Sequence, residues 1–182
     1  GVGTPLANLN TLNLGAGSGI ATLELDAGTT TDTLTTSAAA IVANTVHFNI
    51  RDVGLTALGT YPLLVAPSGL TGTYTLAPVG GYSGSTLSVS DNLVQLNLGT
   101  AVLGSMFWKG NGLAPLVWNS VDGGGNGDNW SSTKDGLTLS AAVPGAATTV
   151  VFQTDNAAPA GAGLPLLTTL GQNFRINNLI VE

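Results

Sequence analysis

The chain has 182 residues, 43% of them hydrophobic and only 8% charged, with a formal net charge of −6. About a quarter of the residues of an ordinary globular domain are charged, so the polar surface here must come from Thr, Ser, Asn and Gly. Disordered chains show the reverse balance, poor in apolar residues and rich in charge, so this chain is expected to fold. The four cationic residues, Arg51, Lys109, Lys134 and Arg175, are scattered. Nucleic acids and anionic membrane surfaces both require clustered Lys and Arg, and both are excluded as partners. So few basic residues also leave trypsin-like proteases little to cut. Cysteine is absent, which removes disulfides and thiolate metal sites. No apolar run approaches the roughly 20 residues that a membrane-spanning helix needs. The opening Gly1-Val2-Gly3-Thr4 lacks a basic and then apolar signal, and reads as a processed terminus or a cut inside something longer.

Short alternating apolar segments recur along the whole chain. Leu12 and Leu14 come first, then Leu23 and Leu25 on either side of Glu24. Val46, Phe48 and Ile50 share one face, with His47 and Asn49 on the other. Leu63 and Val65, Tyr74 and Leu76, Leu87 and Val89, and Val94, Leu96 and Leu98 continue the pattern. Later segments are Leu137 and Leu139, Val150 to Phe152, and Phe174, Ile176, Leu179 and Val181. Period-two alternation marks half-buried strands. The one stretch compatible with a helical turn, Ser37 to Val42, is equally compatible with a strand. Between the segments lie Gly15-Ala16-Gly17-Ser18-Gly19, Asp26-Ala27-Gly28, Pro67-Ser68-Gly69, Gly80-Gly81 and Asp122-Gly123-Gly124-Gly125, which are turn residues.

An all-β chain with this punctuation is a sandwich, a barrel or a solenoid. Two features favour a parallel β-helix, with the β-sandwich as the alternative. Aromatic residues are only 5% of the chain, and Leu, Val, Ala and Ile fill the inward positions, which suits narrow stacked coils. The polar positions are Thr, Asn and Ser, which form hydrogen-bonded ladders where stacked like charges would repel. Composition changes near residue 105. Residues 1–105 are Leu- and Thr-rich, whereas 106–182 hold Trp108, Trp118 and Trp130 around a glycine loop.

The second half runs Trp108-Lys109-Gly110, Leu116-Val117-Trp118-Asn119, Gly127-Asp128-Asn129-Trp130, Val143-Pro144-Gly145 and Thr149-Val150-Val151-Phe152, closing on Phe174 to Val181. This order resembles the opening of the long repeats of bacterial autotransporter-associated β-strand proteins. In the first half, Gly19 to Leu25, Asp32-Thr33-Leu34 and Gly59-Thr60-Tyr61-Pro62-Leu63-Leu64 are similar to phrases from the far end of such a unit. The resemblance implies a right-handed parallel β-helix, export to the cell surface, and a structural or adhesive role without catalysis. Its order differs from the family's, with the end of one unit (1–105) preceding the start of the next (106–182). That order implies association with identical or adjoining units through strand edges.

Individual residues bear on catalysis and binding. The single histidine, His47, would need a nucleophile or carboxylate partner such as Asp52 to act as a base, and it reads instead as an outward strand residue. The acids lie mostly at turns, which explains them without an active site. No enzyme activity and no cofactor is expected. Asp122 and Asp128 flank one glycine loop and are candidates to share a calcium ion, although Gly124 to Asp128 is one residue short of the calcium-binding repeat. The same loop lacks the Lys-Ser/Thr pair and the helix of a phosphate site. Trp108, Trp118 and Trp130 with Tyr82 are candidates for a sugar-stacking platform, in which case the chain is a carbohydrate-binding module for surface glycans. Otherwise they plug one end of a β-stack or pack under the glycine loop.

Overall fold

A computed structural model describes residues 11–15, 19–27, 31–37, 40–52, 59–102, 104–110, 117–119, 129–140, 142–152 and 168–181. These contain only strands, turns and bridges. In chain order they are β1 (Thr11–Leu14), β2 (Ile20–Asp26), β3 (Leu34–Thr35), β4 (Ala40–Asp52), β5 (Thr60–Val65), β6 (Leu70–Leu76) and β7 (Tyr82–Ser83). There follow β8 (Thr86–Ser90), β9 (Leu93–Asn97), β10 (Thr100–Ala101), β11 (Gly104–Trp108), β12 (Trp130–Ser131), β13 (Thr148–Phe152) and β14 (Asn178–Val181). The fold is an all-β solenoid of stacked parallel strands.

The first stack is organised on β4. Strands β1 and β2 lie end to end along one edge of it, β1 against Ala40–Ala43 and β2 against Thr45–Asp52. Strand β6 takes the other edge, also parallel. A second face is built from β3 parallel to β5. The interior rows run from coil to coil, with Ala21 over Val46 over Tyr74 and Leu23 over Phe48 over Leu76. Val46 and Phe48 are fully buried, and burial of one such side chain contributes about 1.5–3 kcal/mol.

Strict alternation cannot bury both halves of β4, because Ile41 and Ala43 are odd while Val46, Phe48 and Ile50 are even, yet all five are buried. The pairing with β6 shifts register between Val42 and Thr45, and this bulge reverses the parity. On β6 the bulge faces Gly72, which has a φ of 124° and sits so close to β4 that a Cβ would collide with the Ala43 carbonyl. Only glycine meets both demands.

The stack departs from a purely parallel helix at β8 and β9. These form a hairpin whose Ser90 and Leu93 pair across the loop residues Asp91 and Asn92, and β9 adds antiparallel to β5. A two-residue loop permits only antiparallel return, and Asp-Asn tolerates the left-handed backbone that such loops use.

The second stack is β11, β13 and β14 in parallel, with β12 antiparallel on the free edge of β11. A parallel bridge between Val117 and Thr169 marks its second face. Each stack has its own buried cluster, one drawn from Ala27 to Leu98 and the other from Met106 to Val150.

Two segments differ from the sequence-based expectation. Leu137 and Leu139 do not form a strand; Leu137 is 72% exposed and Leu139 makes one bridge to Ser131. There the Ser131 and Thr133 hydroxyls and the Asp135 carboxylate accept bonds from the main-chain amides of Thr133, Thr138 and Leu137, replacing a ladder with local turns. Phe174 and Ile176 precede β14 and pack on the second core without joining a strand. The stretch compatible with either a helical turn or a strand resolves as strand where it is described, since Ala40 to Val42 begin β4.

Candidate functional site

The three tryptophans form the centre of the second core. Trp108 on β11 pairs with Trp130 on β12, and the rings meet edge to face with centroids 5.0 Å apart. Trp118 lies 5.2 Å from Trp130 in a second edge-to-face contact, and Phe152 and Phe174 approach it at 5.5 and 5.7 Å. Such offset contacts follow the ring quadrupoles and add about 0.5–1.5 kcal/mol per pair. The Asn129-Trp130 dipeptide locks the arrangement. Asn129 donates from Nδ2 to the Val117 carbonyl at 2.6 Å, and Trp130 from Nε1 to the Trp118 carbonyl at 2.8 Å. Residue exposures are 2% for Trp108, 7% for Trp118 and 0% for Trp130. Rings packed on one another leave no face open to a sugar, so the platform expectation is corrected: these residues fill a core. Tyr82, on β7, packs against the other core and is not brought to them. Phe152 and Phe174 complete the cluster; their place was hidden because each lies in a segment that reads only as an apolar strand.

The polar surface of the first stack carries short ladders in register. His47 Nδ1 lies 3.0 Å from Thr75 Oγ1, in the row where Thr22, His47 and Thr75 are paired. This bond occupies the histidine with a neutral neighbour. The side chain of Asp52 lies outside the described residues, as do Asp122 and Asp128. Among the described residues, no group of three or more His, Asp and Glu converges on a metal position.

Among the described residues, charged side chains gather at the junction of the two stacks. Arg51, near the end of β4, donates from Nε and Nη2 to both carboxylate oxygens of Asp26 at 3.1 and 2.8 Å. Hydrogen bonding to Asp26, reinforced by its charge, raises the Arg51 guanidinium above its ordinary value and keeps it protonated. The Asp26 main chain is itself tied to Asp32, whose amide donates to the Asp26 carbonyl at 2.8 Å. From the second stack, Asn173 Nδ2 reaches both oxygens of Glu24 at 3.0 and 3.2 Å, and Gln172 Nε2 donates to the Pro78 carbonyl at 3.1 Å. Gly80 and Gly145 bring the two backbones together where a Cβ on either would strike the other chain segment. Asp26, Arg51, Asn173, Phe174 and Arg175 line an open cleft of about 310 Å³ at this junction. Periodicity did not reveal it, because its walls come from turns and strand ends far apart in sequence.

No protein-family model, curated protein or solved structure matches the chain.

Proposed function

We propose that this chain is a non-catalytic structural segment of a secreted or cell-surface fibre or stalk, of the kind borne by autotransporter-type adhesins. The observation that carries the reading is the interior row at the β14 edge. Met106 and Val150 are buried at 1% and 0%, while Leu179, next in the same row, is 50% exposed. Val181, beside Phe152 on β13, is 74% exposed. Each coil of a solenoid buries its apolar row only against the next, and a row that ends in exposed Leu and Val suits an adjoining coil. A sparsely charged, hydrogen-bonded exterior with few tryptic sites suits a spacer among extracellular proteases. The partner is an identical or adjoining unit that adds to this strand edge.

Sedimentation velocity over a dilution series tests the reading. The expected result is concentration-dependent association that the double variant Leu179→Asp/Val181→Asp abolishes while its circular dichroism stays unchanged. A wild-type chain that is folded and strictly monomeric throughout overturns it.

A further inference from the structure

The two stacks share one open end. The segment that leads into β14 crosses the strand ends of the first stack: Gln172 reaches the Pro78 carbonyl just beyond β6, and Asn173 reaches Glu24 on β2. Gly145, ahead of β13, lies against Gly80. The Val102 amide, ahead of β11, donates to the Gly81 carbonyl at 2.8 Å, at the threshold of β7. The order β11, β13, β14 in the second stack therefore runs alongside the order β6, β4, β2 in the first. Strands β2 and β14 are outermost at the same end, one on each side of the junction. Among the described residues each has a single strand neighbour, β4 for β2 and β13 for β14. The apolar row is incompletely covered along both: Leu23 and Leu25 are half-buried above Phe48 and Ile50, and Leu179 and Val181 are exposed.

The opposite end is covered by antiparallel strands. Strand β12 lies on β11, and the β8–β9 hairpin lies on β5. At the hairpin tip the Asp91 carbonyl accepts the Leu70 amide at 2.7 Å, which closes the start of β6 as well. An unpaired edge recruits another strand, and here one end alone offers such an edge.

Given the spacer reading, on which this pairing rests, we propose that the partner at the open end is a second copy of the chain. A two-fold axis through the junction relates the copies, and β2 of each pairs antiparallel with β14 of the other. Strand β2 runs into the junction and β14 runs out of it, so a half-turn there lays one copy's β14 antiparallel along the other's β2. The two-fold pair satisfies both edges and stops growing, whereas a head-to-tail filament needs a second open end. Charge selects the same pairing. Self-pairing of β2 brings the Glu24 and Asp26 carboxylates of two copies onto one ladder, and like charges across strands are destabilising. Asn178–Val181 carries no charge, and Glu24 and Asp26 keep their own partners, Asn173 and Arg51, at the junction. Such a pair joins two spacers at their open ends.

Sedimentation mass and site-directed cross-linking of the full chain test the pairing. The natural chain has no cysteine, so Thr22→Cys on β2 and Ile180→Cys on β14 each introduce a single reactive thiol. The expected wild-type mass rises to twice that of one chain and no further as concentration increases. A short bismaleimide is expected to link an equimolar mixture of the two variants into a dimer, and to link neither variant alone. Masses that climb past the pair, a link formed by either variant alone, or no link in the mixture each overturn the two-fold pairing and leave the spacer reading standing. A strictly monomeric wild-type chain overturns both, so the two failures are told apart. The wild-type mass decides between pair and filament even where a variant fails to fold.

Discussion

Replacing Gly72 by Ala tests the bulge that lets β4 bury both its odd and its even residues. At φ 124° an L-residue is held in a region it rarely adopts, which costs about 1–3 kcal/mol. The added Cβ also meets the Ala43 carbonyl and side chain across the pair, and accommodating such an overlap costs about 1–3 kcal/mol more. Together these come to about 2–6 kcal/mol, and at about 2–4 °C per kcal/mol for a chain of this size the melting temperature falls by roughly 5–20 °C. Gly104→Ala is the control. Its φ is 103°, but nothing lies within 4 Å of the added Cβ, so only the conformational cost applies. Thermal melts followed by far-ultraviolet circular dichroism compare the two variants. Gly72→Ala melting at or above Gly104→Ala refutes the argument that close strand approach, and not backbone conformation alone, demands glycine there.

Other consequences are open to direct measurement. The buried indoles give blue-shifted fluorescence that acrylamide barely quenches and that added oligosaccharides do not alter; a red-shifted, readily quenched spectrum contradicts the packed core. Trp130→Phe removes the donor to the Trp118 carbonyl and lowers stability in urea by about 1–3 kcal/mol, as expected for an orphaned buried acceptor. Asp135 is held below the ordinary carboxylate value by the Thr133 hydroxyl and then the Leu137 amide. Its contribution to stability is therefore present above the unfolded-state pKa and lost as pH falls through the lower folded value. A carboxyl-carbon NMR titration finds the depressed midpoint, and Thr133→Val moves it upward; an unmoved midpoint discounts the hydroxyl as its cause. Chelation of calcium leaves the melting temperature unchanged, whereas a drop that Asp122→Asn and Asp128→Asn abolish establishes a calcium site at the glycine loop.

Much of the architecture was legible in linear order, because strand pleating imposes a period of two wherever one face is buried. Val46, Phe48 and Ile50 announced β4, and Thr149 to Phe152 announced β13, before any pairing was known. The scarcity of charge likewise pointed to stacked polar ladders, and Thr22, His47 and Thr75 occupy one such row. Alternation misled at Leu137 and Leu139, where Ser131, Thr133 and Asp135 offered the backbone nearer partners than another strand.

Pairing and proximity were decided only in three dimensions. Period two is the same for parallel and antiparallel neighbours, so the parallel course of β2, β4 and β6 and the antiparallel course of β8 and β9 were settled by connection length and coil geometry. The indoles of Trp108, Trp118 and Trp130 suited a sugar platform as well as a core until packing enclosed them. Asp26, Arg51 and Asn173 to Arg175 share a cleft only because the two stacks meet with glycine backbones in contact. Local propensity acts over a few residues, whereas such a meeting depends on how whole faces exclude water, and that is a property of the folded chain.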